Sequence, residues 1–327
     1  MADVILTVEE KSNYGLSTGA FVEGSSEVSG DVTGRVRNLL GYAEEFELFF
    51  SLGNMKTGKY SLSWKDGRFL GTKSQLQAQL FRTSQSFQQS SSFSENRTGF
   101  AADWVSADAV HNFGYELAFR EIFCGGAKSK PGRQNHQQQQ STTKPSKEVL
   151  QQAGHSMKSS LKHTMVLDNR KAAGLMSRGI GFQAMTELCG IGLDPNLVRC
   201  VREELEVVSE TPLSIFKGWQ TSLELRLKGG LLMPWGKGAF DKPTYIGDRF
   251  FLGGTSTLRG FHIKGAGPTA ERRIVPLVDQ EDEDAAVAAA AGNKQRGSPE
   301  ETRDALGGDV MYSALAAVSS QIFCVHA

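Results

Sequence analysis

Side chains in this chain alternate between apolar and polar with a period of two along almost its whole length. In residues 216–228, Trp219, Thr221, Leu223, Leu225 and Leu227 fall on one face, while Gln220, Ser222, Glu224, Arg226 and Lys228 fall on the other. A helix would scatter these groups around its circumference, whereas an extended strand separates them. The same order recurs at 59–65, where Tyr60, Leu62 and Trp64 oppose Ser61, Ser63 and Lys65, and at 73–81, where Leu76, Ala78 and Leu80 oppose Lys73, Gln75, Gln77 and Gln79. At 112–120, Phe113, Tyr115, Leu117 and Phe119 oppose Asn112, Gly114, Glu116 and Arg120, and at 180–188 Ile180, Phe182, Ala184 and Leu188 oppose Gln183 and Glu187. The pattern predicts twelve strands, near 12–23, 27–37, 44–53, 58–66, 73–83, 97–106, 111–122, 156–168, 178–189, 197–210, 214–230 and 309–320. Several are about ten residues long, enough to cross a bilayer at a tilt. A strand of a soluble sandwich is shorter, about 5–6 residues. One oily face and one rich in Lys, Glu and Gln suits lipid outside and water inside. The fold class is therefore all-β: a transmembrane antiparallel β-barrel.

Composition narrows the function. The chain has 327 residues with 36 basic and 36 acidic side chains, so no net field points to nucleic acid or to an acidic substrate. Mean hydropathy is −0.31, and no run of 18 apolar residues is present to make a spanning helix. Alternating strands average out in such a sum, so this does not argue against a barrel. The start, Met1 to Leu6, has neither a basic region nor an extended apolar stretch of the kind found in a cleaved secretion signal. Cys124, Cys189, Cys200 and Cys324 form no C-x-x-C pair and read as free thiols serving as small apolar fillers. His136 stands beside a glutamine run without further ligands, so no metal is expected. No G-x-S-x-G, H-E-x-x-H or P-loop pattern occurs, and Gly253-Gly254-Thr255-Ser256 lacks a lysine at P-loop spacing. The expectation is a non-enzyme with no cofactor, no small-molecule substrate and no nucleic-acid partner.

Connection lengths alternate too. Links after the second, fourth, sixth, eighth and tenth strands are short, whereas those after the fifth, seventh and eleventh run to about 13, 33 and 78 residues. Short turns on one rim and long loops on the other are the barrel pattern. Within the long links, residues 125–150, with Lys128, Lys130, Arg133, Lys144, Lys147 and glutamines 137–140, read as disordered, as do residues 271–306, with Glu281 to Asp284 and an alanine-rich patch. They are expected to be solvated padding.

One stretch fits neither periodicity. Residues 248–261 read Asp248-Arg249-Phe250-Phe251-Leu252-Gly253-Gly254-Thr255-Ser256-Thr257-Leu258-Arg259-Gly260-Phe261. Apolar residues, paired glycines and a single framed arginine describe a structured loop. This stretch resembles the signature loop of the outer-membrane-protein assembly barrels, the superfamily of bacterial BamA. Within it, the wording is most similar to the central barrel of the mitochondrial sorting and assembly machinery. Further resemblances lie in Arg37-Asn38-Leu39-Leu40-Gly41, in Gly154-His155-Ser156 and Val166 to Arg170, in Asp241-Lys242-Pro243, and in Gly307-Gly308-Asp309. Together they cover about residues 12–124 and 148–318.

The resemblance implies a protein-inserting barrel of the mitochondrial outer membrane. Its partners would be β-barrel precursor proteins, other subunits of the assembly complex and the lipid bilayer. A plastid outer-envelope relative in protein import, a passive pore and a non-functional truncated fragment remain the alternatives. The signature loop, spanning 231–308, would fold into the lumen. By the resemblance Arg259 is the lumenal arginine, Gly260 the close-approach glycine and Phe261 the packing anchor, with Asp248, Arg249, Gly253, Gly254 and Leu258 completing the motif. Asp309 is the expected acidic partner of Arg259, because a guanidinium in a partly dry lumen needs a carboxylate. The first strand, with Tyr14, Leu16, Thr18, Ala20 and Val22 on one face, would be one side of a lateral gate that templates incoming strands, and Gly15 and Gly19 would weaken it. The family barrel has sixteen strands and twelve are visible here, so the expectation is an incomplete barrel over 12–320. Residues 1–11 would be a remnant of an amino-terminal POTRA-type module, and 321–327 an unmatched tail. Such a fragment would leave two unpaired edges, which a bilayer tolerates poorly, and is expected to aggregate. An incomplete gene product or a natural truncated isoform would explain it.

Overall fold

The computed structural model describes residues 12–23, 27–54, 57–124, 142–173, 176–192, 197–213, 220–236, 239, 243–254, 257–275 and 303–321. The expected amino-terminal remnant at 1–11, Thr255 and Ser256, Asp241 and Lys242, residues 125–141 and 276–302 of the inserts, and 322–327 of the tail lie outside the described residues.

Twelve long strands form the wall: β1 (Tyr14–Glu23), β2 (Glu27–Arg37), β3 (Glu44–Gly53), β4 (Gly58–Asp66), β5 (Gln75–Phe87), β6 (Phe93–Val105), β7 (His111–Cys124), β8 (Gly154–Asp168), β9 (Met176–Cys189), β10 (Cys200–Leu213), β11 (Gln220–Pro234) and β12 (Val310–Gln321). Each pairs antiparallel with the next in chain order, and among the described residues β1 and β12 do not pair with each other. The architecture is an antiparallel barrel wall left open.

Register places the alternating side chains as the sequence demands. Directly opposed pairs such as Leu62 with Leu80, Leu80 with Phe100, Phe100 with Leu117 and Leu205 with Ala184 carry the apolar set around the outer face. These side chains are largely exposed, with Leu48 at 61%, Leu80 at 57% and Leu227 at 57%. A contiguous apolar surface of this extent has no place in water and fits hydrocarbon. On the inner face Arg35 meets Glu47 at 2.6 Å, Arg97 meets Glu116 at 2.7 Å and Arg226 meets Glu224 at 3.0 Å. Among the described residues no helix is long and apolar enough to cross a membrane.

Two expectations need correction. The link after β5 is a single turn, with a short helix at Gln88–Ser91, because β5 runs to Phe87 and β6 starts at Phe93. The added residues, Ser84–Phe87 and Phe93–Asn96, are rich in serine and glutamine on both faces and show no alternation; Phe87 and Phe93 hold them in place by packing beneath the long loops. The margins of both inserts are also ordered. Thr142–Lys144 pairs with Arg273–Val275, Thr269–Glu271 pairs with Arg303–Ala305, and a helical turn spans Lys147–Leu150. These margins are held by the rest of the molecule: Val149 is fully buried against Phe93, Ile122 and Ile246.

Candidate functional site

The turns after β5, β7, β9 and β11 share one rim, and the core of the molecule lies on the inner face just below it. The connection from β11 to β12 drops onto this face between residues 243 and 252. Its apolar side chains alternate between two pockets. Ile246 enters a cluster with Phe93, Ile122 and Val149, flanked by Tyr245 and Phe251. Phe250 enters another with Cys189, Cys200, Leu232 and Met311, flanked by Leu252 and Val198. Gly230 of β11 makes the second fit possible, since a Cβ there would sit 2.7 Å from the Phe250 ring. The guanidinium of Arg202 also lies over that ring, 4.8 Å from its centre.

Between the pockets sits Asp248, only 3% exposed at the end of a 3-10 turn, Ile246–Asp248. Arg120 of β7 donates to both of its carboxylate oxygens in a bidentate fork, each contact at 3.0 Å. Lys158 of β8 donates to Oδ1 at 3.1 Å and reaches Glu187 of β9 at 2.7 Å. Tyr245 covers the guanidinium of Arg120, 4.1 Å from ring centre, and its hydroxyl donates to Glu95 of β6 at 3.3 Å. Gly247 lets the turn lie flat there, since a Cβ would come within 2.8 Å of the Tyr245 ring. Two neighbouring wall strands therefore hold the loop carboxylate directly, and the strands flanking them brace the site through Tyr245 and Lys158. Burial alone would raise the Asp248 carboxyl, but Arg120 and Lys158 outweigh it and hold it well below the ordinary aspartate range. Burial also raises the Tyr245 phenol, so it stays a neutral donor.

A buried ion pair of this kind contributes little net stability compared with apolar packing, yet separating its partners is costly, about 3–5 kcal/mol. Its physical effect is to fix where the loop lies. Lys264 adds a further contact: its ammonium lies 3.7 Å from the ring centre of Phe87 and 4.1 Å from that of Phe251. Burial pulls Lys264 down to about 8, opposed by nearby Glu95, and the aromatic faces also favour the charged form.

The motif residues take other places than the resemblance implies. Arg249 is turned back on its own loop, donating from Nε to the Thr244 hydroxyl and from Nη2 to the Thr244 carbonyl, both at 2.8 Å. Asp309 accepts from the same Thr244 hydroxyl at 2.6 Å and lies 3.9 Å from Arg249. It does not pair with Arg259. Gly253 and Gly254 have φ of +117° and +98°, and a Cβ on Gly253 would meet the His262 carbonyl at 2.2 Å. They turn the chain into a small ring in which Leu258 donates from its amide to Gly254 and Gly254 donates to Phe261. Arg259 and Gly260 are exposed at the tip, and Phe261 is 53% exposed. In the described residues the loop supplies a buried carboxylate, Asp248, and the wall supplies its guanidinium, Arg120. Sequence reasoning marked Asp248 as part of the motif but missed Arg120, Lys158, Glu187 and Glu95, whose only signal was four charges on inner-face positions near one rim. It also missed Asp304, fully buried, which accepts from the Ser92 hydroxyl at 2.6 Å, the Ser146 amide at 2.8 Å and Arg272 at 2.7 Å.

Of the proposed gate strand, Tyr14, Leu16, Thr18 and Ala20 share the outer face, opposed to Val36, Gly34, Val32 and Gly30 of β2, while Val22 is the register partner of Val28. Gly19 leaves room on the inner face for Asp31, whose Oδ1 would be 2.8 Å from a Cβ there.

Every oxygen of Asp248 is engaged by a wall cation, so it is not free to move protons, and among the described residues no group of three or more His, Cys, Asp or Glu is placed to hold a metal ion. The arrangement positions a loop. Comparison with known proteins agrees with that kind of molecule. The sorting and assembly machinery component 50 homolog of Mus musculus is 32% identical over 240 residues, 72% of this chain and 45% of the relative. The Xenopus tropicalis homolog is 30% identical over 243 residues, with the same shares covered. The chain spans about half the length of the curated relatives it matches. The crystal structure of BamA from Haemophilus ducreyi lacking POTRA domains 1-3 superposes with a TM-score of 0.63 at 14% identity, covering 95% of this chain and 53% of that one. That likeness establishes the fold. The model of the Omp85 superfamily domain matches residues 38–326, and the chain belongs to the Omp85 superfamily.

Proposed function

We propose that this chain supplies wall strands and the pinned loop of a β-barrel insertase in the mitochondrial outer membrane, working with the other subunits of an assembly complex. The observation that carries the reading is the loop held on the inner wall by Asp248, Arg120 and Lys158. The names of the relatives, homologs of a sorting and assembly machinery component, favour the mitochondrion over the plastid envelope.

In this reading no covalent chemistry is involved. An incoming precursor strand pairs by main-chain hydrogen bonds with the edge of β1 that no described strand occupies, and the exposed outer-face side chains of Tyr14 and Leu16 meet it from the lipid side. Residues 12–320 act as one barrel segment, and residues 1–11 as the end of a preceding module. Arg259 and Phe261, exposed at the loop tip, contact acidic or apolar groups of the lumen or of the arriving chain.

The test is site-specific cross-linking. A photoreactive residue at Leu16, in the chain inserted in mitochondria, should capture a radiolabelled barrel precursor during import, and the same probe at Leu227 should not. Capture at neither position, or equally at both, would sink the templating role. Arg259→Ala should slow precursor assembly on native gels, and an unchanged rate would remove Arg259 from the mechanism.

A further inference from the structure

Two thiols lie where the wall could form a covalent bond. Cys189 ends β9, Cys200 begins β10, and the two are register partners across that antiparallel pair. Directly opposed residues have Cα atoms about 4.5–5.5 Å apart, inside the range of about 4.4–6.8 Å that a disulfide spans. Both side chains fall on the inner face, as their cluster with Phe250, Leu232 and Met311 requires. Neither thiol is in a disulfide. Cys189 is 0% exposed and Cys200 4%. Their cover has two parts. Leu232 and Met311 belong to the wall, whereas Phe250 and Leu252 belong to the pinned loop. The indole of Trp235 fixes the backbone beside them by donating to the Cys189 carbonyl at 2.9 Å. Access to the sulfurs therefore depends on the loop: its departure takes away the aromatic lid and leaves the strand pairing intact.

We propose that Cys189 and Cys200 form a modification site, a cross-strand dithiol that a small-molecule disulfide oxidises only while the loop is lifted from the wall. One thiolate attacks the small disulfide, forming a mixed disulfide and expelling one small thiolate. The second protein thiol attacks the protein sulfur of that mixed disulfide and expels the other small thiol. Two electrons and two protons pass from the protein to the small disulfide, which leaves as two thiols. The product staples the ends of β9 and β10. This inference rests on the geometry of the wall and loop and stands apart from the insertase reading.

The test uses the full 327-residue chain folded in detergent micelles, with Cys124→Ser and Cys324→Ser so that only the pair reacts. Oxidised glutathione is the probe, and peptide mapping by mass spectrometry follows the Cys189–Cys200 link. The parent should link slowly. Phe250→Ala, which removes the lid and keeps the charge anchor, and Asp248→Asn, which loosens the anchor, should each speed linking, the latter by roughly a hundred- to a few-thousand-fold, the population change expected when a buried pair is broken. Resistance of the barrel wall to protease identifies variants that keep their fold, and Phe250→Ala decides the matter if Asp248→Asn does not. Equal rates in the parent and in folded Phe250→Ala would overturn the gating, and stable single-thiol glutathione adducts with no link would overturn the dithiol.

Discussion

The same pair of functional groups, a guanidinium and a carboxylate, occurs in two regions of this molecule with opposite consequences. In β2 and β3, Arg35 and Glu47 meet at 2.6 Å with 45% and 31% of their side chains exposed. In β7 and the loop, Arg120 and Asp248 meet at 3.0 Å with 1% and 5% exposed. The first pair is a rung on a wet wall, screened by water and interchangeable with its neighbours, since Arg35 also lies 3.7 Å from Glu45. The second has no alternative partner in solvent, so it decides where the loop lies. Distance alone does not distinguish a decoration from a latch; the surrounding dielectric does.

Variants can break or sharpen this contrast. Asp248→Ala should have the largest effect, destabilising the docked loop by about 3–5 kcal/mol by leaving Arg120 and Lys158 buried with Glu187 alone. Hydrogen exchange at residues 243–252 should accelerate while exchange in β3 stays unchanged. Gly230→Val should cost less, about 1–3 kcal/mol, by driving a side chain into the Phe250 ring, and it should lower the unfolding midpoint while leaving the charge anchor in place.

Titration gives a smaller and more specific effect. The folded-state value of Asp248 is depressed, so its contribution is complete above the ordinary value of 3.8 and is lost as pH falls below it. Lys264 acts in the opposite range. Its folded value, about 8, lies below its ordinary 10.5, so between these the unfolded chain holds a proton that the folded one has released, and stability rises with pH across that window. Lys264→Met should flatten the alkaline slope and leave the acid limb unchanged, as read from unfolding midpoints across pH. Glu47→Gln should have the smallest effect, no measurable shift of the unfolding midpoint; a shift as large as that of Asp248→Ala would dissolve the contrast between the two regions.

The wall was legible in the sequence because each strand reports its own two faces locally: Leu223, Leu225 and Leu227 against Glu224 and Arg226 need no distant information. The ends of β5 and β6 were not legible, because Ser84, Gln85, Ser94 and Glu95 owe their strand conformation to apolar residues of the long loops. The motif at 248–261 announced a special loop, and Ile246, Phe250 and Leu252 do pack as a structured segment. The resemblance pointed to Arg259 as the lumenal charge of the loop. Burial is instead decided by a partner 128 positions away, Arg120, and nothing in the spacing of either residue records that meeting. Asp304 was hidden for a related reason: it stands at the edge of an acidic, alanine-rich stretch whose composition suggests no fixed structure, while its partners lie at Ser92, Ser146 and Arg272.

The ribbon joining Thr142–Lys144 to Arg273–Val275, together with the fully buried carboxylate of Asp304, gives both long insertions fixed mooring posts. A change of length or composition between such posts leaves their anchorage, and so the docked loop below, undisturbed.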